Sequence, residues 1–420
     1  MDDHEETGSG ERDDEAGTRA ALGTASAAPG EVARGWFEVA ELPTGAAERL
    51  PVVVANGPED GPVLWLTGGV HGDEATGVAA VQDAISTIAR DALAALSGTI
   101  VAVPVVSPAG LRRNARHTYY ADEDPNRHFP DADAESARPP KLQERIDARL
   151  YAAITGGAVE DATGVAGRDD ADRDDADREP VDPPIAESAG TGVVADALID
   201  CHTAGVGSEP FAIRDRVLYG ERRSEDDAVA LSDEIGRLVD AFGFPTVREY
   251  PASEYVDERL HRSTAGAVLN EAGIPAFTAE LGAHSVVDDG LVEAGVAGIS
   301  AVAAELGLLA AGEVPEDVGR PADHLGPAPV EFPVRRFRGP TTDDSGILRH
   351  RVAAGETFAE GDILADVVSA TGEERGTVRA DRDGYALGRT EGLAVYEGDP
   401  IGSLAVRDDG DLVVPREDDA

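Results

Sequence analysis

Val63-Leu64-Trp65-Leu66-Thr67-Gly68-Gly69-Val70-His71-Gly72-Asp73-Glu74 carries the most information in this chain of 420 residues. Its apolar run, Pro62–Thr67, reads as a buried strand, Thr67-Gly68-Gly69 as a turn, and the alanine-rich stretch Ala75–Ala89, with apolar residues at helical spacing, as a helix. His71 and Glu74 therefore fall on a strand-to-helix loop, where α/β sheets gather their ligands. Far downstream, Val193-Val194-Ala195 leads into Leu198-Ile199-Asp200-Cys201-His202-Thr203, which places His202 near the end of a second strand. Two imidazoles and one carboxylate, with the first two ligands three residues apart and the third remote, form the donor set of an open zinc site that leaves a position for water. Taken singly, each residue is more often a satisfied polar side chain; the metal reading rests on the combination.

Two further segments add to it. Phe277-Thr278-Ala279-Glu280-Leu281-Gly282 sets a carboxylate in an apolar, strand-like run. A buried Glu is costly unless it is paired, bound to a metal or catalytic, and the plainest alternative is an ion pair with a neighbouring Arg. Asp124-Pro125-Asn126-Arg127-His128-Phe129-Pro130, preceded by Arg112, Arg113 and Arg116, offers an amide beside a planar guanidinium fork, a pairing suited to gripping a carboxylate.

In this order the four segments resemble the succinylglutamate desuccinylase/aspartoacylase family, a relative of the zinc carboxypeptidases, over roughly residues 36 to 309. The resemblance implies one Zn2+ per chain on His71, Glu74 and His202, and Glu280 as the general base that later acts as acid. Asn126 and Arg127 would hold a substrate carboxylate. Arg116 would polarise the scissile carbonyl, with Arg113 held in reserve as a substrate-binding residue. The activity implied is removal of an acyl group from an N-acyl amino acid or a related small carboxylate. A zinc carboxypeptidase acting on peptides would use the same residues, and a non-catalytic binding protein on the same fold would be expected to have lost one of them.

Composition narrows the partners. Against 82 Asp and Glu stand 36 Lys and Arg, a net charge of −46, and Lys141 is the only lysine. Such a surface is a poor partner for nucleic acid or anionic membrane, and it suits a halophilic cytoplasm. The single cysteine, Cys201, excludes an intrachain disulfide and fits a reducing compartment. Strand neighbours point to opposite faces, so Cys201 is expected to pack in the core while His202 faces the site. Met1–Glu6 lacks a basic and apolar leader pattern. The apolar stretch Leu291–Leu309 contains Glu293 and Glu305, and reads as a core helix.

The expected fold class is α/β: a zinc-carboxypeptidase-like mixed sheet flanked by helices over residues 31–315, then a β-rich, biotinyl/lipoyl-like barrel unit over 328–406. Gly-Asp turns at Gly361-Asp362 and Gly398-Asp399 punctuate that unit, and no lysine stands where such a barrel would be modified. Residues 1–30 and 407–420 read as charged tails. Residues 164–192, containing Arg168-Asp169-Asp170-Ala171-Asp172 and its immediate repeat Arg173-Asp174-Asp175-Ala176-Asp177, read as a solvated insertion.

Overall fold

The structure is a computed structural model and describes residues 17–120, 123–130, 140–157, 190–310, 312–390 and 392–416. In chain order its strands are β1 (Ala20–Leu22), β2 (Ala25–Ala27), β3 (Glu31–Glu41), β4 (Ala47–Asn56), β5 (Glu59–Gly68), β6 (Ser97–Val103), β7 (Ala197–Ala204), β8 (Phe211–Arg214), β9 (Val217–Tyr219), β10 (Thr246–Arg248) and β11 (Ala276–Ala283). They are followed by β12 (Val334–Arg338), β13 (Gly346–His350), β14 (Thr357–Phe358), β15 (Ile363–Val368), β16 (Glu374–Arg379), β17 (Gly384–Arg389), β18 (Ala394–Val395), β19 (Gly402–Arg407) and β20 (Val413–Pro415).

Twelve strands form one mixed sheet in the order β14-β17-β19-β12-β10-β8-β11-β7-β5-β6-β4-β3. Its centre is parallel: β6, β5, β7 and β11 run together, with Leu66 beside Ile199 and Glu280 beside His202. These central strands are apolar almost without interruption because helices cover the sheet. Trp65, Leu66, Ile199 and Phe277 are fully buried, and the helices Ala75–Asp91 and Asp289–Glu305 contribute Ile85, Ile88, Ile299 and Val302 to the same core. The stretch read as a core helix is thus packed there, and among the described residues no helix is long and apolar enough to cross a membrane.

The C-terminal β unit is present, but it is not set apart. Its strands β12, β14, β17 and β19 extend the large sheet, joined through parallel pairing of β12 with β10 at Arg335 and Arg248. Strands β16, β15, β13 and β18 form a second sheet, and Leu348, Leu364, Val367 and Leu404 fill the space between the two.

Both expected tails are corrected in part. Residues 17–30 contain the hairpin β1–β2, whose Ala20, Leu22, Ala25 and Ala27 are buried against the main core. Its acidic, glycine-rich lead-in hid these small apolar residues; residues 1–16 lie outside the described ones. At the other end β20 pairs in parallel with β9, Val414 is buried, and the Arg416 guanidinium donates to Glu271. The 164–192 insertion also ends sooner than its composition suggests, because Thr191 exchanges backbone hydrogen bonds with Ala21 of the hairpin. Residues 164–189 lie outside the described residues.

Candidate metal and catalytic site

The site is assembled at the C-terminal ends of the parallel strands β5, β7 and β11. After β5 the chain turns through Gly69 and returns as the helix Ala75–Asp91, with Glu74 immediately before its first residue. Two glycines let this turn sit deep. A Cβ on Gly72 would lie 1.9 Å from the Gly110 carbonyl carbon, and one on Gly77 would lie 2.6 Å from the Cys201 carbonyl oxygen. The first turn of the helix can therefore press directly onto the β7 backbone, which carries His202.

That approach brings the three expected ligands together. His71 Nδ1 lies 2.7 Å from Glu74 Oε1, and His202 Nδ1 lies 2.7 Å from Glu74 Oε2. Ligand atoms of His71, Glu74 and His202 lie within 4.8 Å of one another, and all three residues are buried. Cys201 points away into the core, as strand alternation requires, and burial raises its thiol well above the usual range.

Each imidazole is held from behind by a carboxylate. His202 Nε2 lies 2.7 Å from Asp200 Oδ2, while the Thr67 hydroxyl donates to Asp200 Oδ1 at 2.6 Å. His71 Nε2 lies 2.9 Å from Asp124 Oδ1. An outer carboxylate that accepts the Nε2 proton leaves the Nδ1 lone pair facing inward, the tautomer a metal needs. The donor set and its outer shell therefore fit a bound divalent ion such as zinc. Burial pushes the Glu74 carboxyl up, yet His71 and His202 hold it well below the ordinary carboxylate range. Burial likewise opposes the charged form of His202, and Asp200 and Glu74 outweigh it, raising the imidazole.

Asp124 was not singled out from sequence, and it organises the neighbouring loop. It caps the turn Pro125–Arg127 by accepting from the Asn126 backbone, bonds His71, and takes the Arg116 guanidinium at 2.7 Å. Arg116 also reaches Glu74 Oε1 at 3.3 Å, so this Arg enters the ligand cluster. Arg113 is exposed and is not brought to it. Asn126 is buried, and its Oδ1 accepts from the backbone and hydroxyl of Thr264, which fixes the amide's orientation and leaves Nδ2 uncommitted among the described residues. Arg127 donates to the Glu258 and Asn126 carbonyl oxygens.

Glu280 on β11 stands beside His202 in the parallel ladder, and its Oε2 is buried without a hydrogen-bond partner among the described residues. Burial raises its carboxyl above the usual range, against the pull of His202. Arg336 of β12 also acts on Glu280, but its ion pair is made with Glu249, at 2.9 Å. The simple ion-pair reading of Glu280 is thus not what the side chains show. Sequence reasoning missed Asp200, Asp124 and Arg336. The first had a usable signal, since Asp200 and His202 are two residues apart on one strand and so share a face. Two other cavities, about 710 Å3 beside Phe244 and Phe332 and about 510 Å3 beside Trp36 and Pro104, contain none of these residues.

Residues 60–158 match the model of the succinylglutamate desuccinylase/aspartoacylase catalytic domain. No curated protein matches the chain by sequence. Among solved structures, a succinylglutamate desuccinylase from Silicibacter sp. TM1040 is 20% identical, with a TM-score of 0.60 over 90% of this chain and 95% of that one. A succinylglutamate desuccinylase/aspartoacylase from Rhodobacter sphaeroides is 18% identical, TM-score 0.61, covering 90% and 96%. The product-bound ectoine utilization protein EutE (DoeB) from Ruegeria pomeroyi is 19% identical, TM-score 0.59, covering 89% and 95%. At these identities the solved structures establish a shared fold over nearly the whole chain. The resemblance carried by the motifs is borne out over residues 60–158, which hold His71, Glu74, Asn126 and Arg127.

Proposed function

We propose, from a chain whose catalytic segment matches the succinylglutamate desuccinylase/aspartoacylase family, that this protein is a zinc-dependent amide hydrolase that removes an acyl group from an N-acyl amino acid or similar small carboxylate. The observation that carries the reading is the pairing of Glu280 with His202 on adjacent strands, next to three convergent ligands whose imidazoles are each backed by a carboxylate.

His71, Glu74 and His202 would hold the ion, which when bound supplies an acidified water and polarises a carbonyl oxygen. Glu280 would take the proton of the attacking water on its unpartnered Oε2 and deliver it to the departing amine nitrogen. Burial raises its carboxyl above the ordinary range, a direction that favours return of the proton it takes. Arg116, half exposed and held by Asp124, would face the carbonyl oxygen as charge develops on it. Asn126 Nδ2 and the Arg127 guanidinium would receive the substrate carboxylate, with Thr264 keeping the amide turned the right way. The surrounding acidity, −46 overall, argues against polyanionic substrates and is compatible with small ones.

The test is hydrolysis of a panel of N-acyl amino acids by the zinc-loaded protein, at low and high salt, with release of free amine as the readout. Turnover that disappears on chelation and returns with zinc is the expected result. Failure to cleave any member of the panel, with one zinc bound per chain, would reject the deacylase reading.

A further inference from the structure

Among the described residues outside their own turn, Asn126 and Arg127 are held by a single stretch of chain between β10 and β11. Arg127 Nε donates to the Glu258 carbonyl oxygen at 3.1 Å, and the backbone and hydroxyl of Thr264 donate to Asn126 Oδ1 at 2.8 and 3.0 Å. Between these contacts Phe129 N donates to the Arg262 carbonyl oxygen, and Arg262 Nε donates back to the Phe129 carbonyl oxygen. Arg127 stays partly exposed, with Nε and Nη1 given to carbonyl oxygens. Backbone atoms of this stretch and of its own turn therefore set the plane of its fork.

The stretch is closed on itself by a buried clasp. Tyr255 stands before Glu258, and Asn270 ends the helix Thr264–Asn270; Asn270 Nδ2 donates to the Tyr255 hydroxyl at 3.1 Å. That hydroxyl donates in turn to Asp215 Oδ1 at 2.9 Å, while Asn270 also accepts from Leu218 N and donates to the Arg216 carbonyl oxygen. Asp215, Tyr255 and Asn270 are all buried. One phenol oxygen thus joins both ends of the stretch to the connection between β8 and β9, and every contact it makes to Asn126 and Arg127 lies inside the loop so closed. Within that loop Arg259 is a non-glycine residue at φ +55°, directly after the carbonyl that Arg127 uses. Such a conformation is costly and persists only where the surrounding structure over-determines it.

We propose that Tyr255 is a positioning residue: its clasped hydroxyl fixes the shape of residues 255–270 and, through Glu258 and Thr264, the placement of Asn126 and Arg127. It touches no reacting atom. This rests on the deacylase reading, in which Asn126 and Arg127 receive the substrate carboxylate, and it adds a buried tie to what determines KM. Among the described residues His71, Glu74 and His202 share no hydrogen bond with Asp215, Tyr255 or Asn270, so a loosened clasp acts on carboxylate binding and leaves metal binding alone.

The experiment measures kcat and KM of the zinc-loaded full chain for an N-acyl amino acid and its amide-blocked counterpart. Tyr255→Phe should raise KM for the free carboxylate by roughly 5- to 30-fold, with kcat within about twofold and the blocked substrate nearly unmoved, since a clamp displaced by a fraction of an ångström loses its register. Zinc content should stay at the wild-type level. In an Arg127→Ala background the same change should have no further effect on the ratio between the two substrates, because the group it positions is gone. Asp215→Asn, which keeps an oxygen for the Tyr255 hydroxyl, should shift the ratio in the same direction by less, and it serves as the test if Tyr255→Phe does not fold. Ile299→Val, in the core of the helix Asp289–Glu305, controls for lost stability and should leave the ratio alone. Equal losses for both substrates, or additive effects of Tyr255→Phe and Arg127→Ala, would overturn the assignment. If nothing is cleaved, calorimetric titration with N-acetylglycine and N-acetylglycinamide replaces turnover. A wild-type preference for the carboxylate that Tyr255→Phe weakens supports the positioning role even then; a preference left intact overturns that role alone, and no preference in wild type overturns the clamp and this role together.

Discussion

Asp200→Asn is the change that most directly tests how the ligand cluster is held. Asp200 is fully buried and satisfies two groups at once, accepting from the Thr67 hydroxyl at 2.6 Å and facing His202 Nε2 at 2.7 Å. The amide is nearly isosteric, so packing survives, but it has one acceptor and one donor end. Because Thr67 donates, the Asn oxygen must turn to Thr67 and its NH2 to His202. Nε2 must then accept, which moves the imidazole proton to Nδ1, the nitrogen that lies 2.7 Å from Glu74 Oε2. A protonated Nδ1 cannot ligate. Restoring the ligating tautomer means either breaking the new hydrogen bond or leaving Thr67 unsatisfied in the core, a cost of about 1–3 kcal/mol. That corresponds to a loss of zinc affinity on the order of 10- to 100-fold, in line with outer-shell changes generally. Competition with a chromophoric chelator measures it. An unchanged zinc affinity in a variant with wild-type thermal stability would refute the tautomer argument.

Four further outcomes are expected. Purified protein should bind about one zinc per chain, and metal analysis of His71→Ala and of His202→Ala should show that zinc lost; full retention in both removes the ligand assignment. Glu280→Gln should keep zinc and substrate binding while kcat falls by about 10²- to 10⁴-fold, and near-normal turnover would end the proton-transfer role. Arg127→Ala should lower kcat/KM for carboxylate substrates by an amount worth roughly 2–5 kcal/mol, and a variant that still discriminates against amide-blocked substrates would place the clamp elsewhere. Removing residues 164–189, charged and repetitive, should leave melting temperature and activity close to wild type; loss of the folded state would show that the segment packs.

The candidate cluster was legible because metal chemistry restricts both residue type and spacing: His71, Glu74 and His202 stand out in the sequence and lie together in the structure, and Glu280 stands out as a carboxylate in an apolar strand. Their supports were harder to read. Asp124 looks like the start of a polar turn, and only its contact with His71 across 53 residues shows a second task. Arg336 is one of many arginines on a β-rich segment, and its relation to the site depends on β12 joining β10, a long-range pairing with no local signal. The N-terminal hairpin was missed for a compositional reason. Ala20, Ala25 and Ala27 bury little area each and carry weak strand preference, so they resemble the acidic tail that precedes them. The return of residues 408–416 is likewise driven by charge, with Asp408 facing Arg216 and Arg248 and Arg416 facing Glu271, which reads in sequence as an ordinary charged end.

The pairing of β20 with β9 also has a meaning in time. Val413 joins Val217 across 196 residues (413 − 217), so the strand just past the His202 segment lacks its partner until nearly the whole chain exists. At synthesis rates of roughly 5–20 residues per second that interval is about 10–40 s. During it β9 is an open strand edge, and the free side of β10 stays open until Val334–Arg338 is made, each a template for wrong pairing on a nascent chain. The long range of these closures makes the last stage of folding slow relative to the local elements around His71. A ribosome-bound chain would carry His71, Glu74 and His202 well before it carries the strands that close this side of the molecule.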